Sequence, residues 1–278
     1  MLVNNVTIGA DPELFIINKN TGKVVSSIGI IPGEKGNPWR SDDMPVGFGL
    51  EIDNILAEFN IPPTTTCEGF INNIQYMKDY IEKYVSEKNP SLGILCASSM
   101  MVDSDQLRSK EAKLFGCDPD YNVYTECENP KPKGERTNLR SAGFHIHIGY
   151  SKRNIDTSLM LVRYMDALVG LNSVLIDSDT RRRSLYGKAG SFRLQPWGVE
   201  YRTLSSYMMK DKETLKLVWN LTMKAIYALN DGWCLPESNL VISAINSSNQ
   251  VLAKRLIDEY NLGCDDSYNG NNDDIPFI

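Results

Sequence analysis

The chain has 278 residues, 42% of them apolar and 23% charged, which is ample for one large core near the size limit of a single domain. Its net charge is -6 and its pI about 5.1, which argues against broad binding to nucleic acid or a membrane surface, since both need a basic face. A local basic pocket for a phosphate stays open.

Residues 6–17, "VTIGADPELFII", read as a strand, and Asn20-Thr21-Gly22 supplies a turn into a second strand, giving a hairpin. Residues 28–47 are rich in Gly and Pro and are expected to be a loop. "FGLEIDNILAEFNIPP" follows, apolar with carboxylates at alternate positions in parts. A first helix begins after Pro62 and Pro63, with Thr65 and Glu68 as a capping box. Phe70, Ile74, Met77, Ile81 and Tyr84 then recur at helical spacing. "LGILCASSMMV" reads as a buried strand. Residues 116–140 carry almost no period, and such a stretch is either a lid or binding loop or a plain surface excursion.

The strand "GFHIHIGY" holds His145 and His147, the only histidines in the chain. A second helix over about 156–177 has the length of a membrane span, but Arg163, Asp166 and Asn172 interrupt it, so a buried helix is expected. Loop and strand share residues 180–206. A third helix covers 210–231, with Leu215, Val218, Trp219, Thr222 and Ile226 on one face. A last one, "NQVLAKRLIDEYNL", ends at Gly263. Residues 1–262 are expected to form a single catalytic domain and 263–278 an acidic, mobile tail. The six cysteines, Cys67, Cys96, Cys117, Cys127, Cys234 and Cys264, form no CxxC pair and read as free thiols. The N-terminus shows no signal-peptide pattern, so a cytoplasmic location is expected.

In a strand, residues i and i+2 share a face. His145 and His147 therefore project together. The same spacing pairs Asp11 with Glu13, Glu51 with Asp53, Glu58 with Asn60, and Glu200 with Arg202. Water-facing strand positions usually mix Lys, Thr, Ser and Gln. None of the chain's 17 lysines falls in these pairs. If the strands share a sheet, one face gathers carboxylates that repel one another and need a cation. Oxygen donors with one or two imidazoles suit Mg²⁺ or Mn²⁺ better than structural zinc. The HxH spacing also occurs in cupins, but no acid follows it until Asp156. Basic groups concentrate at 181–202: Arg181, Arg182 and Arg183 run together, and Tyr186, Lys188, Arg193 and Arg202 follow. At least one of the three successive arginines is expected to be a solvated residue after the helix. Carboxylate-held cations beside arginines suit a nucleoside triphosphate. The chain has no Walker A sequence and no kinase loop set.

Taken in order, "GADPELFI", "ILAEFNIPP", "GFHIHIGY", "YGKAGSFR" and "GVEYRTL" resemble the glutamine synthetase-like carboxylate–amine ligases, and among them the phage-type COOH–NH2 ligases, or amidoligases. "FGCDPDYNVY" is similar to the same branch. The resemblance spans about residues 8–206. It implies an α+β fold, a glutamine synthetase-like curved, mainly antiparallel sheet with helices packed on the convex face and two or three Mg²⁺ (or Mn²⁺) ions on the other. ATP is expected with its triphosphate on those ions.

By motif position the resemblance makes Asp11, Glu13, Glu58, His145 and Glu200 metal ligands. It places His147 near the nucleotide and Arg202 on the transferring phosphoryl group. Arg183 and Arg193 match basic positions near the phosphates, with Tyr186 beside them. Asp11 departs from the Glu common in the wider superfamily. A further acid near Glu58 could be Glu51 or Asp53.

The implied reaction is Mg-dependent, ATP-dependent amide formation through an acyl phosphate, joining a carboxylate and an amine from an amino acid, peptide or protein. Asp53 is the candidate base for the ammonium group. Nucleic acid and membrane are not expected partners, and the oligomeric state is not legible. A guanidino or amino phosphotransferase on a related sheet, and an inactive interaction module, are the rival expectations.

Overall fold

The computed structural model describes residues 2–113, 120–132 and 137–264. Twelve strands and seven helices follow one another along the described residues. The strands are β1 (Thr7–Asn18), β2 (Val24–Val25), β3 (Gly49–Asp53), β4 (Leu56–Thr64), β5 (Leu92–Leu95), β6 (Ser99–Met101), β7 (Tyr121–Asn122), β8 (Cys127–Glu128), β9 (Leu139–Ser141), β10 (Phe144–Gly149), β11 (Ser191–Gln195) and β12 (Gly198–Tyr201). The helices are α1 (Cys67–Lys88), α2 (Lys110–Lys113), α3 (Ile155–Met165), α4 (Leu171–Ile176), α5 (Lys212–Asp231), α6 (Ser238–Asn246) and α7 (Gln250–Glu259).

Ten strands form one mainly antiparallel open sheet in the order β3-β4-β1-β10-β12-β11-β7-β8, and β2 and β5 pair with β1 off that path. The long β1 is its hub. Its first half pairs with β4 and β10, and its last residues pair with β2 and β5. β6 and β9 form a separate pair. The expected first hairpin is present as β1 and β2. The single strand expected over 92–102 is two, β5 and β6, with the break at Cys96–Ser98.

Alternation along the strands separates the two faces of the sheet. Ala10, Leu14, Phe144, Ile146, Ile148, Val199 and Tyr201 face the helices and are buried. On that side Phe70 of α1 packs between Phe144 (ring centroids 6.2 Å apart) and Trp219 of α5 (5.6 Å). The face of α5 read from the sequence, Leu215, Val218, Trp219, Thr222 and Ile226, is buried throughout. The other face is polar at Asp11 and Glu13 but turns apolar at Phe15. There Phe15, Val24, Ile55, Leu56, Val102, Leu107, Ala112 and Ala142 form a second, smaller core. This second core closes one end of the polar face.

Three details differ from the sequence reading. The cap of α1 is Thr66, not Thr65. Thr66 is extended (φ -125°, ψ 145°) and its hydroxyl accepts from the Gly69 N–H at 3.1 Å. Glu68 thus falls in the first turn, a position favoured by the helix dipole, without the reciprocal box spacing. Helix α6 gave no signal strong enough to assign, because nine residues hold barely two turns of pattern. The segment 116–140 is not wholly irregular: β7 and β8 extend the sheet edge beyond β11. The remainder of that segment at 116–119 and 133–136, and the tail at 265–278, lie outside the described residues.

α3 and α4 are halves of one continuous helix, Ile155–Ile176, joined by a π-helical turn at Asp166–Gly170. Its length and composition would suit a membrane span, but it packs against β11, β12 and α5 within this core. Cys67, Cys96, Cys127, Cys234 and Cys264 are free thiols, and Cys117 lies outside the described residues.

Candidate active site

Strand register assembles the site. In an antiparallel pair, residues directly opposite share a face. Asp11 stands opposite His145, Glu13 opposite Glu58, Glu58 opposite Glu51, His147 opposite Glu200, and Glu200 opposite Arg193. Six neighbouring strands, β3, β4, β1, β10, β12 and β11, thus present their acids, imidazoles and arginine to one side.

Two groups of potential ligand atoms result. One oxygen each from Glu13, Asp53 and Glu58 lie within 4.8 Å of one another, and all three residues are buried. One atom each from Asp11, His147 and Glu200 meet the same limit. The donor chemistry of both triads, carboxylates with at most one imidazole and no thiolate, fits Mg²⁺ or Mn²⁺. Glu51 borders the first triad and accepts from the Gly36 N–H at 3.1 Å. Asp53, expected as a base, instead sits among the potential ligands, with the Lys35 ammonium 2.8 Å from its Oδ1.

Both histidines approach Asp11. Nε2 of His147 lies 3.1 Å from Asp11 Oδ1 and joins a triad, and its ring packs 4.9 Å from Trp197. His145 is deeper. Its Nδ1 is 3.1 Å from Asp11 Oδ1, 3.6 Å from Glu200 Oε1 and 3.4 Å from Arg202 Nη1. Both therefore touch Asp11, and His145 also touches the arginine.

Arg202 is buried and pairs with Glu200 through Nη1, while its Nε lies 3.4 Å from Asp120 Oδ1. Arg193 reaches Glu200 Oε2 at 3.3 Å and stays partly exposed. Tyr186 lines a recess together with Glu13, Asp53, Asp120, Arg140, His145, Arg182 and Arg202. Arg183 is not among those lining groups. It is buried and donates to the Gly187 and Thr203 carbonyls, so it braces backbone. Its neighbour Arg182 faces the recess while also donating to the carbonyls of Thr203 (2.9 Å) and Leu204 (2.7 Å).

Sequence reasoning missed Asp120, Arg140 and Lys35. Asp120 lies in the quoted stretch "FGCDPDYNVY", but no period singles it out. In the fold, Asn129 Nδ2 donates to its Oδ2 at 3.0 Å, and its buried Oδ1 faces Arg202 Nε at 3.4 Å. Arg140 donates to the carbonyls of Ala112, Thr137 and Leu139, which no linear pattern foretells.

The charges of the site are unequal. Burial pushes the Glu58 carboxyl well above the usual carboxylate range, and Asp11, Asp53, Glu13 and Glu51 push it further. Burial and then Asp53 raise Glu13. Asp11 is buried too, but His147 and His145 outweigh that and hold it well below its ordinary value. Burial opposes ionisation of Glu200, and Arg202 more than compensates, so Glu200 is lowered. His147 is raised, because Asp11 and Glu200 outweigh its burial. The second triad, Asp11–His147–Glu200, is balanced by its own cations. The first gathers three carboxylates against the single ammonium of Lys35, and a bound cation relieves the remaining repulsion.

These features define an α+β protein whose open, mainly antiparallel sheet carries two candidate divalent-cation sites on one face, flanked by buried arginines. The family model for phage phiEco32-like COOH.NH2 ligase-type 2 proteins matches residues 136–231, less than half of the chain. The match covers His145, His147, Glu200 and Arg202, and it supports the family resemblance carried by the motifs. A comparison with curated proteins gave no match.

Proposed function

We propose that this protein is an ATP- and Mg²⁺-dependent carboxylate–amine ligase with a glutamine synthetase-like fold, forming an amide through an acyl phosphate. The matched family's name supports the ligase class. The observation that carries the rest is the placement of two acidic triads side by side on one sheet face, with Arg202 buried against them.

A carboxylate and an amine form a salt, not an amide, so the carboxylate must first be activated. Glu13, Asp53 and Glu58, and Asp11, His147 and Glu200, would hold Mg²⁺ or Mn²⁺, which would supply charge neutralisation for the phosphate oxygens. Arg202 offers a guanidinium to the transferring phosphoryl group, and Tyr186, Arg182 and Arg140 complete that wall of the recess. The substrate carboxylate attacks the γ-phosphorus and ADP leaves. The amine nitrogen then attacks the acyl carbon and inorganic phosphate departs with the C–O electron pair. Asp53 and Asp120 both face the recess as acceptors for the ammonium proton. Asp120 stands outside both triads, so a bound cation leaves its carboxylate available. The enzyme is placed in the cytoplasm, where ATP and Mg²⁺ are available.

The test supplies ATP, Mg²⁺ and hydroxylamine with a panel of amino acids and short peptides, reading hydroxamate and ADP. Hydroxylamine intercepts the acyl phosphate, so a responsive carboxylate gives both products together. A phosphorylated amine or guanidine and no hydroxamate would favour a phosphotransferase. No turnover with any carboxylate and no calorimetric binding of Mg–ATP would sink the ligase reading.

A further inference from the structure

We propose that Asp166 is a positioning residue that grips the underside of the strand carrying Glu200 and Arg202. The proposal rests on the reading that those two side chains serve a cation and a phosphoryl group.

Residues 200–203 alternate in direction. Glu200 and Arg202 face the site, and Tyr201 and Thr203 face the helices. Both of the latter converge on one acceptor. The Tyr201 hydroxyl donates to Asp166 Oδ1 at 2.7 Å, and the Thr203 hydroxyl lies 3.3 Å from the same oxygen, its single proton shared between that carboxylate and the Lys188 carbonyl at 3.1 Å. Asp166, Tyr201 and Thr203 are all fully buried.

The helix is built to allow this contact. Asp166 opens the π-helical turn, an insertion that costs regular hydrogen bonding and occurs often near functional sites. Gly170 closes the turn, and a Cβ there would stand 2.8 Å from the Tyr201 hydroxyl oxygen and 2.7 Å from Ile245 Cδ1. The helix thus leaves out a side chain where the tyrosine must enter. On the far side of the same segment, Arg182 and Arg183 both donate to the Thr203 carbonyl. Residues 201–204 are therefore fixed by one carboxylate on the helix side and two guanidiniums along the backbone.

A buried carboxylate is an expensive way to satisfy two hydroxyls. Burial pushes the Asp166 carboxyl up to about 6. Tyr124 and the Gly190 N–H also approach the carboxylate, but its Oδ2 makes no hydrogen bond of ordinary geometry among the described residues. What the carboxylate provides is a single rigid anchor for two consecutive inward-facing side chains of this strand. Arg202, set between them, and Glu200, just before them, must stay in register with Asp11, His145 and His147 on the neighbouring strands, where small misplacements are costly.

The experiment reads Mn²⁺ binding to the full chain by electron paramagnetic resonance and calorimetry, with thermal unfolding alongside. It is run in a Glu58→Gln background, to weaken the other triad, and in a Glu200→Gln background as the converse. Asp166→Ala and the double variant Tyr201→Phe/Thr203→Val should weaken Mn²⁺ about tenfold at the Asp11–His147–Glu200 triad and less than twofold at the other. Asp166→Asn, which keeps an acceptor oxygen, should recover most of that loss. The double variant decides the matter if Asp166→Ala does not fold. Equal weakening at both triads, or none at either, overturns the proposal while leaving the ligase reading intact. An unmodified chain that binds no Mn²⁺ overturns both.

Discussion

Glu58 is the residue on which the electrostatics of the site turn. It is buried on β4, between β3 and β1, and four carboxylates, Asp11, Asp53, Glu13 and Glu51, add to the cost of ionising it. Its folded-state value is raised above the ordinary 4.5. Such a group contributes stability that is fully present below the unfolded value and is lost as pH rises through the folded one. Asp11 and Glu200 act in the opposite sense: their values are lowered, so their contribution is present above the ordinary values and is lost as pH falls. The metal-free chain should therefore lose stability at the Glu13–Asp53–Glu58 triad as pH rises from the acid side toward neutrality. A divalent cation, which competes with the proton, should restore it. Glu58→Gln is expected to raise the metal-free Tm near neutral pH, by about 2–4 °C for each kcal/mol of repulsion relieved. The same change should remove much of the Tm increase produced by Mg²⁺. Unfolding scans with and without Mg²⁺, at acid and at neutral pH, check both effects. If Glu58→Gln shifts Tm equally at the two pH values, the carboxylate is not being ionised against its neighbours.

Elements differ in how much of themselves they reveal in one dimension. The strand bearing Asp11 and Glu13 and the strand bearing both histidines were legible because period-two alternation is a local property. The long helices were legible for the same reason, to within a residue or two at their ends. The cap of α1 shows the limit. Thr64, Thr65 and Thr66 stand in a row, and only the backbone geometry selects Thr66. Thr66→Ala should cost about 1 kcal/mol, the usual value of a lost N-cap. It should lower Tm by a few degrees without changing Mn²⁺ affinity, because α1 lies on the helix side of the sheet. Thermal unfolding and a Mn²⁺ titration on the same sample separate the two effects, and a lost cation site would mean that α1 positions the acids directly. What stayed hidden were groups whose partners are backbone carbonyls, which carry no side-chain pattern. Arg183 matches a basic position near the phosphates in the family resemblance, and in the fold its guanidinium donates to the Gly187 and Thr203 carbonyls. Asp120 had no pattern at all and reaches the site only because β7 joins the sheet edge.

At the scale of the whole molecule, the decisive fact is register, which no single strand encodes. Alternation predicted which residues share a face along each strand, but not which residue of one strand stands opposite which of the next. Register puts both histidines beside Asp11 and Glu200, His145 opposite the first and His147 opposite the second. It also divides the acids unevenly across the sheet. β1 gives Glu13 to a triad completed by Asp53 of β3 and Glu58 of β4, and gives Asp11 to a triad completed by His147 of β10 and Glu200 of β12. The two triads draw on opposite flanks of β1, so removing an outer ligand from one should leave the other standing. The expected stoichiometry is thus two Mn²⁺ per chain, falling to one in Glu58→Gln and to one in Glu200→Gln, and to none in the double variant. The remaining site should weaken only modestly, because Asp11 and Glu13 are close in sequence and their charges are felt across both triads. Equilibrium dialysis against Mn²⁺, with circular dichroism to confirm folding, gives the count directly. If either single substitution abolishes all binding, the six ligands form one shared site, and the separation by strand flank is wrong.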